Sequence, residues 1–253
     1  MILITTLFVG CSSDNPSTRN FGSQAEADAA VASSQAQIQL AVNDVMNLSS
    51  TAASFGLTKT TAYAYDASTG WWRNTSMSSS GGYTYHYDYQ HRFTPRNTDG
   101  TPTSETNQFE YKYDYDFSGS TSGLTYELTY ASDYSCTGLS GYRAGTGDLV
   151  VNGSSDISYD WGGDYAGQTI KYQYDYSNDY RGVTFSPDVQ YPTSGIINFT
   201  STFNYDPNND YLPDYHVSGK ISFNGDNTAT LEFGGYLYLI NLTTGSITPA
   251  GGQ

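Results

Sequence analysis

Cysteine, histidine and positive charge are scarce in this sequence, and each shortage excludes a class of protein. Two cysteines cannot build the disulfide framework of a small secreted domain, and three histidines leave little material for a metal site. Ten Lys and Arg residues stand against 25 Asp and Glu residues, which gives a formal charge of −15. Because so acidic a surface repels phosphates and anionic lipid headgroups, we expect no nucleic-acid partner and no peripheral docking on acidic lipids.

Long hydrophobic runs and the common catalytic motifs are also missing. The apolar leader Met1–Gly10 would reach only about 15 Å as a helix, half of a bilayer core. No phosphate-binding loop, dinucleotide fingerprint or G-x-S-x-G motif is present. His86 and His91 are five residues apart, so on a strand they would point to opposite faces. We therefore expect a protein that is not an enzyme and has no organic cofactor.

The leader ends at a cysteine that is followed by polar residues. The segment Leu7-Phe8-Val9-Gly10-Cys11-Ser12-Ser13 resembles the lipobox of bacterial lipoproteins. The resemblance implies that residues 1–10 are a signal peptide, that Cys11 is acylated, and that residues 11–22 form a lipid anchor and a flexible tether. Ser12 resembles the residue that favours retention in the outer membrane, at the periplasmic face or the cell surface. The alternative is a buried N-terminal strand that contains an ordinary cysteine.

A single helix is predicted next, from about residue 23 to about residue 48. Ser23-Gln24-Ala25-Glu26 matches a capping box, in which a hydroxyl is followed three residues later by a glutamate. Val31, Ile38 and Val45 then recur seven residues apart and form a narrow apolar stripe. We expect this amphipathic helix to pack on a sheet rather than to form a coiled-coil seam.

From about residue 60 the apolar period changes from helical to two. Aromatic and polar residues alternate in many segments, with turn residues such as Asn224-Gly225-Asp226 and Thr244-Gly245 between them. The clearest alternating residues are Tyr83, Tyr85, Tyr87 and Tyr89, then Phe109, Tyr111, Tyr113, Tyr115 and Phe117. This pattern predicts a mainly β protein: a large antiparallel meander, either a curved sheet or a half-barrel, with the N-terminal helix packed on it. Residues 23–253 are expected to form one monomeric domain.

Tyrosine takes the place that valine or leucine usually has on such strands. The chain contains 25 Tyr and 11 Phe residues, and aromatics reach 15%. A phenol ring buries a large area, but its hydroxyl still needs a hydrogen-bond partner or water. Two interpretations follow: the tyrosine rows are the core around the helix, or part of the face is exposed and binds a glycan or a hydrophobic ligand.

One short segment is the candidate ligand site, and a cysteine elsewhere is expected to have no chemical role. Gly70 is followed by Trp71, Trp72 and Arg73, and an exposed Trp beside Arg73 would be a platform for a sugar ring or, alternatively, a plug at the sheet edge. Cys136 lies in Asp133-Tyr134-Ser135-Cys136-Thr137-Gly138, which is typical of a turn, and is expected to be an inert thiol.

A candidate cation site lies in Asp206-Pro207-Asn208-Asn209-Asp210-Tyr211-Leu212-Pro213-Asp214. This segment resembles the calcium loops of thrombospondin type 3 and dockerin-like repeats. The resemblance implies Ca²⁺ ligands at Asp206, Asn208, Asp210 and Asp214. The alternative is a polar loop in which Asp and Asn simply favour turns.

Together these features predict a non-catalytic, membrane-anchored envelope lipoprotein of structural or adhesive type. One alternative is a binding module for a glycan, a hydrophobic ligand or a protein that uses the Tyr- and Trp-rich sheet face. A second alternative rests on element order alone, which is similar to the lipoprotein carriers LolA and LolB; it implies a carrier of acyl chains.

Overall fold

The computed structural model describes residues 21–54, 63–165, 168–207 and 215–250, with side chains for all of these except 48–54, 165, 205–207 and 215. Strands account for 61% of the chain and helices for 14%, which confirms a mainly β protein. These residues contain two helices, α1, Gln24–Ser54, and a short α2, Leu139–Arg143. In this part of the chain, no helix is sufficiently long and apolar to span a membrane.

The N-terminal helix begins where the capping box predicted. The Ser23 hydroxyl accepts a hydrogen bond from the Glu26 backbone N–H at 3.3 Å. The Glu26 carboxylate in turn accepts one from the Gly22 N–H at 3.0 Å, so the first turn is capped from both sides. The helix extends beyond the predicted end at residue 48. The predicted stripe residues Val31, Ile38 and Val45 are buried, and so are Ala27, Ala41 and Val42.

Twelve strands follow in a single sheet in which every neighbour in the chain is also a neighbour in space. All the pairings are antiparallel, the order is β1 to β12, and the sheet does not close. This confirms the predicted meander, in which short connections join successive antiparallel strands. The strands are β1 Ala64–Asp66, β2 Trp71–Ser80, β3 Tyr83–Thr94, β4 Gln108–Thr121, β5 Leu124–Thr137, β6 Leu149–Tyr165, β7 Gln168–Phe185, β8 Ser194–Pro207, β9 Tyr215–Phe223, β10 Thr228–Phe233, β11 Tyr236–Asn241 and β12 Ile247–Pro249.

Both of the turns named from the sequence join consecutive strands. Asn224-Gly225-Asp226 connects β9 to β10, and the Asp226 carboxylate accepts a hydrogen bond from the Thr228 N–H at 2.8 Å. Gly225 has φ 87°, a conformation that glycine adopts without steric cost. Thr244-Gly245 connects β11 to β12, where Gly245 has φ 71°.

The alternation divides the sheet into two different faces. One face, here called the aromatic face, contains the Tyr, Phe and aliphatic side chains, and α1 packs on it against β6 and β7. The opposite polar face contains mainly Asp, Ser, Thr, Asn and Lys. The core lies between α1 and one end of the long strands, where the largest fully buried side chains include Phe93, Phe109, Leu149, Phe185, Ile221 and Phe233.

Candidate functional site

Trp71 and Trp72 lie on opposite faces of β2, as adjacent strand residues must. Trp72 belongs to the aromatic face, where its indole N–H donates to the Gly100 carbonyl at 3.0 Å. Its ring centroid lies 5.0 Å from that of Tyr65 and 6.3 Å from that of His91. The two Trp rings therefore do not combine into one surface, and only Trp71 is left for the polar face.

Trp71 is surrounded by charged side chains that already have partners. The Arg92 guanidinium lies over its ring, 4.8 Å from the centroid, and donates to Glu110 Oε1 at 2.8 Å. The Lys112 ammonium is 5.9 Å from the same centroid and pairs with Asp133 at 2.5 Å. One side of the indole is thus occupied by Arg92, and ligand binding by Trp71 stays a prediction.

Arg73 lies on the same polar face and holds a buried carboxylate. Its Nε donates to both oxygens of Asp88, at 2.9 and 3.0 Å, and Gln90 donates to the same group at 3.0 Å. Burial by itself would raise the pKa of Asp88, but the hydrogen bonds from Arg73 and Gln90 hold that pKa below its usual value. Arg73 is therefore engaged within the protein.

Several predicted site residues fall beyond the described ranges. Cys11 lies outside them, and so do Asn208, Asp210 and Asp214. For Asp206 the backbone is described but the side chain is not. Its backbone belongs to β8 and pairs with Lys171 of β7. Lipidation of Cys11 and the Ca²⁺ loop both stay predictions. Within the described ranges, no three His, Cys, Asp or Glu side chains are grouped as metal ligands would be.

Cys136 and the histidines have ordinary structural places. The prediction that Cys136 lies in a turn is wrong: it is in β5, directly opposite Phe109 of β4, and is fully buried. Burial raises the pKa of its thiol to about 12, so the thiol stays protonated and unreactive at neutral pH. His86 and His91 do point to opposite faces: His86 meets Asp116 at 3.3 Å on the polar face, and His91 is buried on the aromatic face.

The aromatic face continues well beyond the part that α1 covers. At the far ends of β3 to β8 its rings are half-buried or exposed rather than buried. We call this region the open aromatic face, and it consists of Tyr83, Tyr85, Tyr87, Tyr113, Tyr115, Phe117, Tyr126, Tyr159, Trp161, Tyr172 and Phe203. The sequence alone left open whether the aromatic rows of the strands are core or surface. In the structure, the part under α1 is core and the open aromatic face is surface.

The rings of the open aromatic face touch one another across neighbouring strands. Tyr83 stacks on Phe117 with centroids 5.7 Å apart. Tyr172 meets Phe203 edge-on at 4.9 Å and Trp161 at 6.5 Å. Such contacts join neighbouring rings into clusters on this face of the sheet.

A second feature lies beneath α1 and was missed from the sequence. Ser132 of β5 is opposite Ser155 of β6, and Ser155 is opposite Asn178 of β7, so three small polar residues cross three strands of the aromatic face. We call them the buried polar row, because they are only 7%, 1% and 3% exposed. Asn178 donates to the Ser155 hydroxyl at 3.0 Å, and that hydroxyl is 3.3 Å from the Tyr180 hydroxyl.

Asp44 of α1 is close enough to the tyrosines beside the buried polar row to affect their pKa values. Burial raises the pKa of Tyr130, Tyr134, Tyr176 and Tyr180, which flank the row, and the charge of Asp44 contributes to each rise. The same burial raises the pKa of Asp44 itself to about 6. Asp44 is thus a half-buried carboxylate on an amphipathic helix, near the edge of its apolar stripe.

A signal for the buried polar row was present in the sequence. In β5 and β7 the alternating positions run Tyr130, Ser132, Tyr134 and Tyr176, Asn178, Tyr180, so each aromatic series is interrupted once by a small polar residue. What the alternation could not show is that the interruptions align. Alignment depends on the register between strands, which is set by long-range pairing.

Comparisons with protein-family models, with curated proteins and with solved structures found no match for this chain.

Proposed function

We propose that this chain is a non-catalytic, lipid-anchored envelope protein of structural or adhesive type, and that the open aromatic face is its adhesive surface. The observation that supports it is the open aromatic face itself. Monomeric proteins rarely leave a contiguous apolar surface of this kind without a binding role. The lipid anchor is supported by the lipobox-like residues that end at Cys11.

A neutral glycan is the ligand chemistry that this surface fits best. Rings such as Trp161 and Tyr172 offer flat apolar area for stacking, and the tyrosine hydroxyls add hydrogen-bonding groups at the edges. The formal charge of −15 disfavours acidic polymers. An acyl chain would favour a drier surface, with fewer hydroxyls, than these tyrosine rows provide.

The anchor is tested by the intact mass of the full-length protein produced in a bacterium. We expect loss of residues 1–10 and a mass gain that corresponds to acyl chains on Cys11. A Cys11→Ser variant should lack the gain, because serine offers no thiol. A wild-type chain that keeps Met1–Gly10 and carries no lipid would contradict the anchoring and the envelope location together.

The adhesive surface is tested with the full-length Cys11→Ser chain, so that no detergent is needed, and with soluble neutral hexasaccharides of glucose and N-acetylglucosamine as probes. We expect Trp161→Ala, on the open aromatic face, to weaken binding about fivefold or more, since one ring contact contributes about 1 kcal/mol. Trp71→Ala is the matched control, because it removes the same side chain from the polar face.

The other outcomes of the same titration are also informative. Binding of oleate and of no saccharide would favour the hydrophobic-ligand alternative and contradict the glycan assignment. Equal weakening by Trp161→Ala and Trp71→Ala would show that the open aromatic face is not the binding surface. No binding of any probe would leave the adhesive proposal without its central support and overturn the ligand class.

A further inference from the structure

One edge of the sheet is largely uncovered. Among the described residues, only the short β1 lies on the outer side of β2, and it pairs with residues 71–73 alone. The pairing ends at Ala64, and the Tyr63 ring lies against His91 on the aromatic face, with the centroids 5.0 Å apart. We call residues 74–80 the open edge of β2, because every second one directs its N–H and C=O away from the sheet.

The opposite edge of the sheet is protected. Its last strand, β12, is three residues long and ends at Pro249, which has no N–H to donate to a further strand. The turn before β12 is attached to the helix, since Gln35 and Gln39 of α1 donate to the Gly245 carbonyl at 3.4 and 2.8 Å. Folded proteins commonly use such devices to prevent a sheet edge from pairing with another chain.

The open edge of β2 carries no such device within the described part of the chain. Its sequence, Asn-Thr-Ser-Met-Ser-Ser-Ser, contains neither a charged residue nor a proline. Its pairing with β3 runs without a bulge, so no local twist turns the edge away. The two edges of one sheet are thus treated differently, which indicates that the open edge of β2 has a strand as its partner.

Charge favours a second copy of this chain as that partner. Two copies with a formal charge of −15 each repel one another over most of their surfaces, and the repulsion is weakest at a segment without charge. Arg73, directly before the open edge, is already paired with Asp88. A basic partner would instead be attracted to the acidic side chains of the polar face.

The open edge also matches its own copy residue by residue. A two-fold axis through Met77 would pair Asn74 with Ser80, Thr75 with Ser79 and Ser76 with Ser78. All of these pairs are small and neutral, so no like charges oppose each other. Met77 is 71% exposed, more than any other large hydrophobic side chain of the described residues, and it would meet the same residue of the second copy.

We propose that two copies of this chain pair through the open edge of β2 and form one continuous antiparallel sheet. The main-chain hydrogen bonds provide the affinity, as they do when a peptide strand is added to a sheet. Because antiparallel strands are related by a two-fold axis perpendicular to the sheet, both open aromatic faces lie on the same side of the dimer. The sequence alone predicts a monomer. This inference does not depend on the glycan proposal or on the lipid anchor.

The proposal is tested by sedimentation equilibrium of the full-length Cys11→Ser chain over a range of concentrations. We expect the mass to rise from that of the 27.6 kDa chain towards twice that value. The paired segment is smaller than a standard protein interface, so the dissociation constant should be on the order of 10 µM. Met77→Lys should raise it about tenfold or more, since two ammonium groups would face each other. Thr129→Lys is the matched control, because it adds the same charge to an exposed position on the polar face of the inner strand β5.

Cross-linking tests the register and covers the case in which Met77→Lys does not fold. In Met77→Cys the two introduced thiols face each other, so diamide should oxidise them to a disulfide between the copies while diamide itself is reduced. In Ser79→Cys the two thiols would be about 14 Å apart along the strands, which is too far for a disulfide. Cys136 is fully buried and does not compete.

Three results would overturn the proposal. The mass of a single chain at every concentration would show that the copies do not pair, and slow amide hydrogen exchange at residues 74–80 of that monomer would show that another part of the same chain covers the edge. Equal weakening by Met77→Lys and Thr129→Lys would place the dimer contact elsewhere. Equal cross-linking of Met77→Cys and Ser79→Cys would refute the two-fold pairing through Met77.

Discussion

Replacing Phe109 by alanine is expected to lower the free energy of unfolding by about 3–5 kcal/mol, whereas Phe117→Ala should lower it by about 1 kcal/mol or less. Both rings are on β4 and on the same face of the sheet. Phe109 is completely buried, so its removal leaves a cavity in the core. Phe117 is half-buried and contacts chiefly the Tyr83 ring, 5.7 Å away.

Urea unfolding followed by circular dichroism checks this contrast, with the wild-type chain as reference. The comparison bears on function because it separates the core from the open aromatic face. If Phe117→Ala proved as costly as Phe109→Ala, the far ends of the strands would be core, and the proposed adhesive surface would not exist.

Burial of Asp44 and burial of His91 are expected to change the free energy of unfolding with pH in opposite directions. The pKa of Asp44 rises on folding from 3.8 to about 6, so its stabilising contribution is complete below pH 3.8 and is lost as the pH rises through 6. The pKa of His91 falls from 6.5 to about 4 because of burial. Its contribution is complete above pH 6.5 and is lost as the pH falls through 4.

Variants of these two residues should therefore change the pH dependence in opposite directions. The free energy of unfolding of Asp44→Asn, measured relative to wild type, should be about 2 kcal/mol higher at pH 7 than at pH 4. A fully buried carboxylate would give a larger difference, but part of this carboxylate still meets water. His91→Phe keeps an aromatic ring but cannot be protonated. Its free energy of unfolding, measured relative to wild type, should therefore be about 3 kcal/mol higher at pH 4 than at pH 7.

The measurement is the urea midpoint at several pH values in buffers of equal ionic strength. The wild-type chain measured under the same conditions serves as the reference. A constant difference in the free energy of unfolding between Asp44→Asn and wild type from pH 4 to pH 7 would contradict the partial burial of the Asp44 carboxylate.

The fold class was predictable because it depends on local pattern. Alternation with a period of two requires only that neighbouring side chains point to opposite faces, so Tyr83 to Tyr89 could be assigned to a strand without a partner. The capping residues Ser23 and Glu26 likewise act within one turn of helix, and both take the predicted roles. The Gly225 and Gly245 turns are equally local.

Errors arose where a short segment carried turn residues inside a strand. Asp133, Ser135 and Thr137 made the segment around Cys136 look like a turn, yet these residues form the polar side of β5. Pairing with β4 and β6 on both sides outweighs their weak preference for turns. Such an outcome depends on the neighbouring strands, which are distant in sequence.

By itself, the sequence determined an antiparallel meander with one aromatic face, one polar face and a capped helix, because hydrophobic period, turns and caps act over a few residues. Only the tertiary structure decided which rings are core and which form the open aromatic face, since that depends on where α1 lies across the sheet. It also decided that Ser132, Ser155 and Asn178 align across three neighbouring strands. The physical reason is that strand register and helix docking are set by contacts between distant residues, which no local pattern contains.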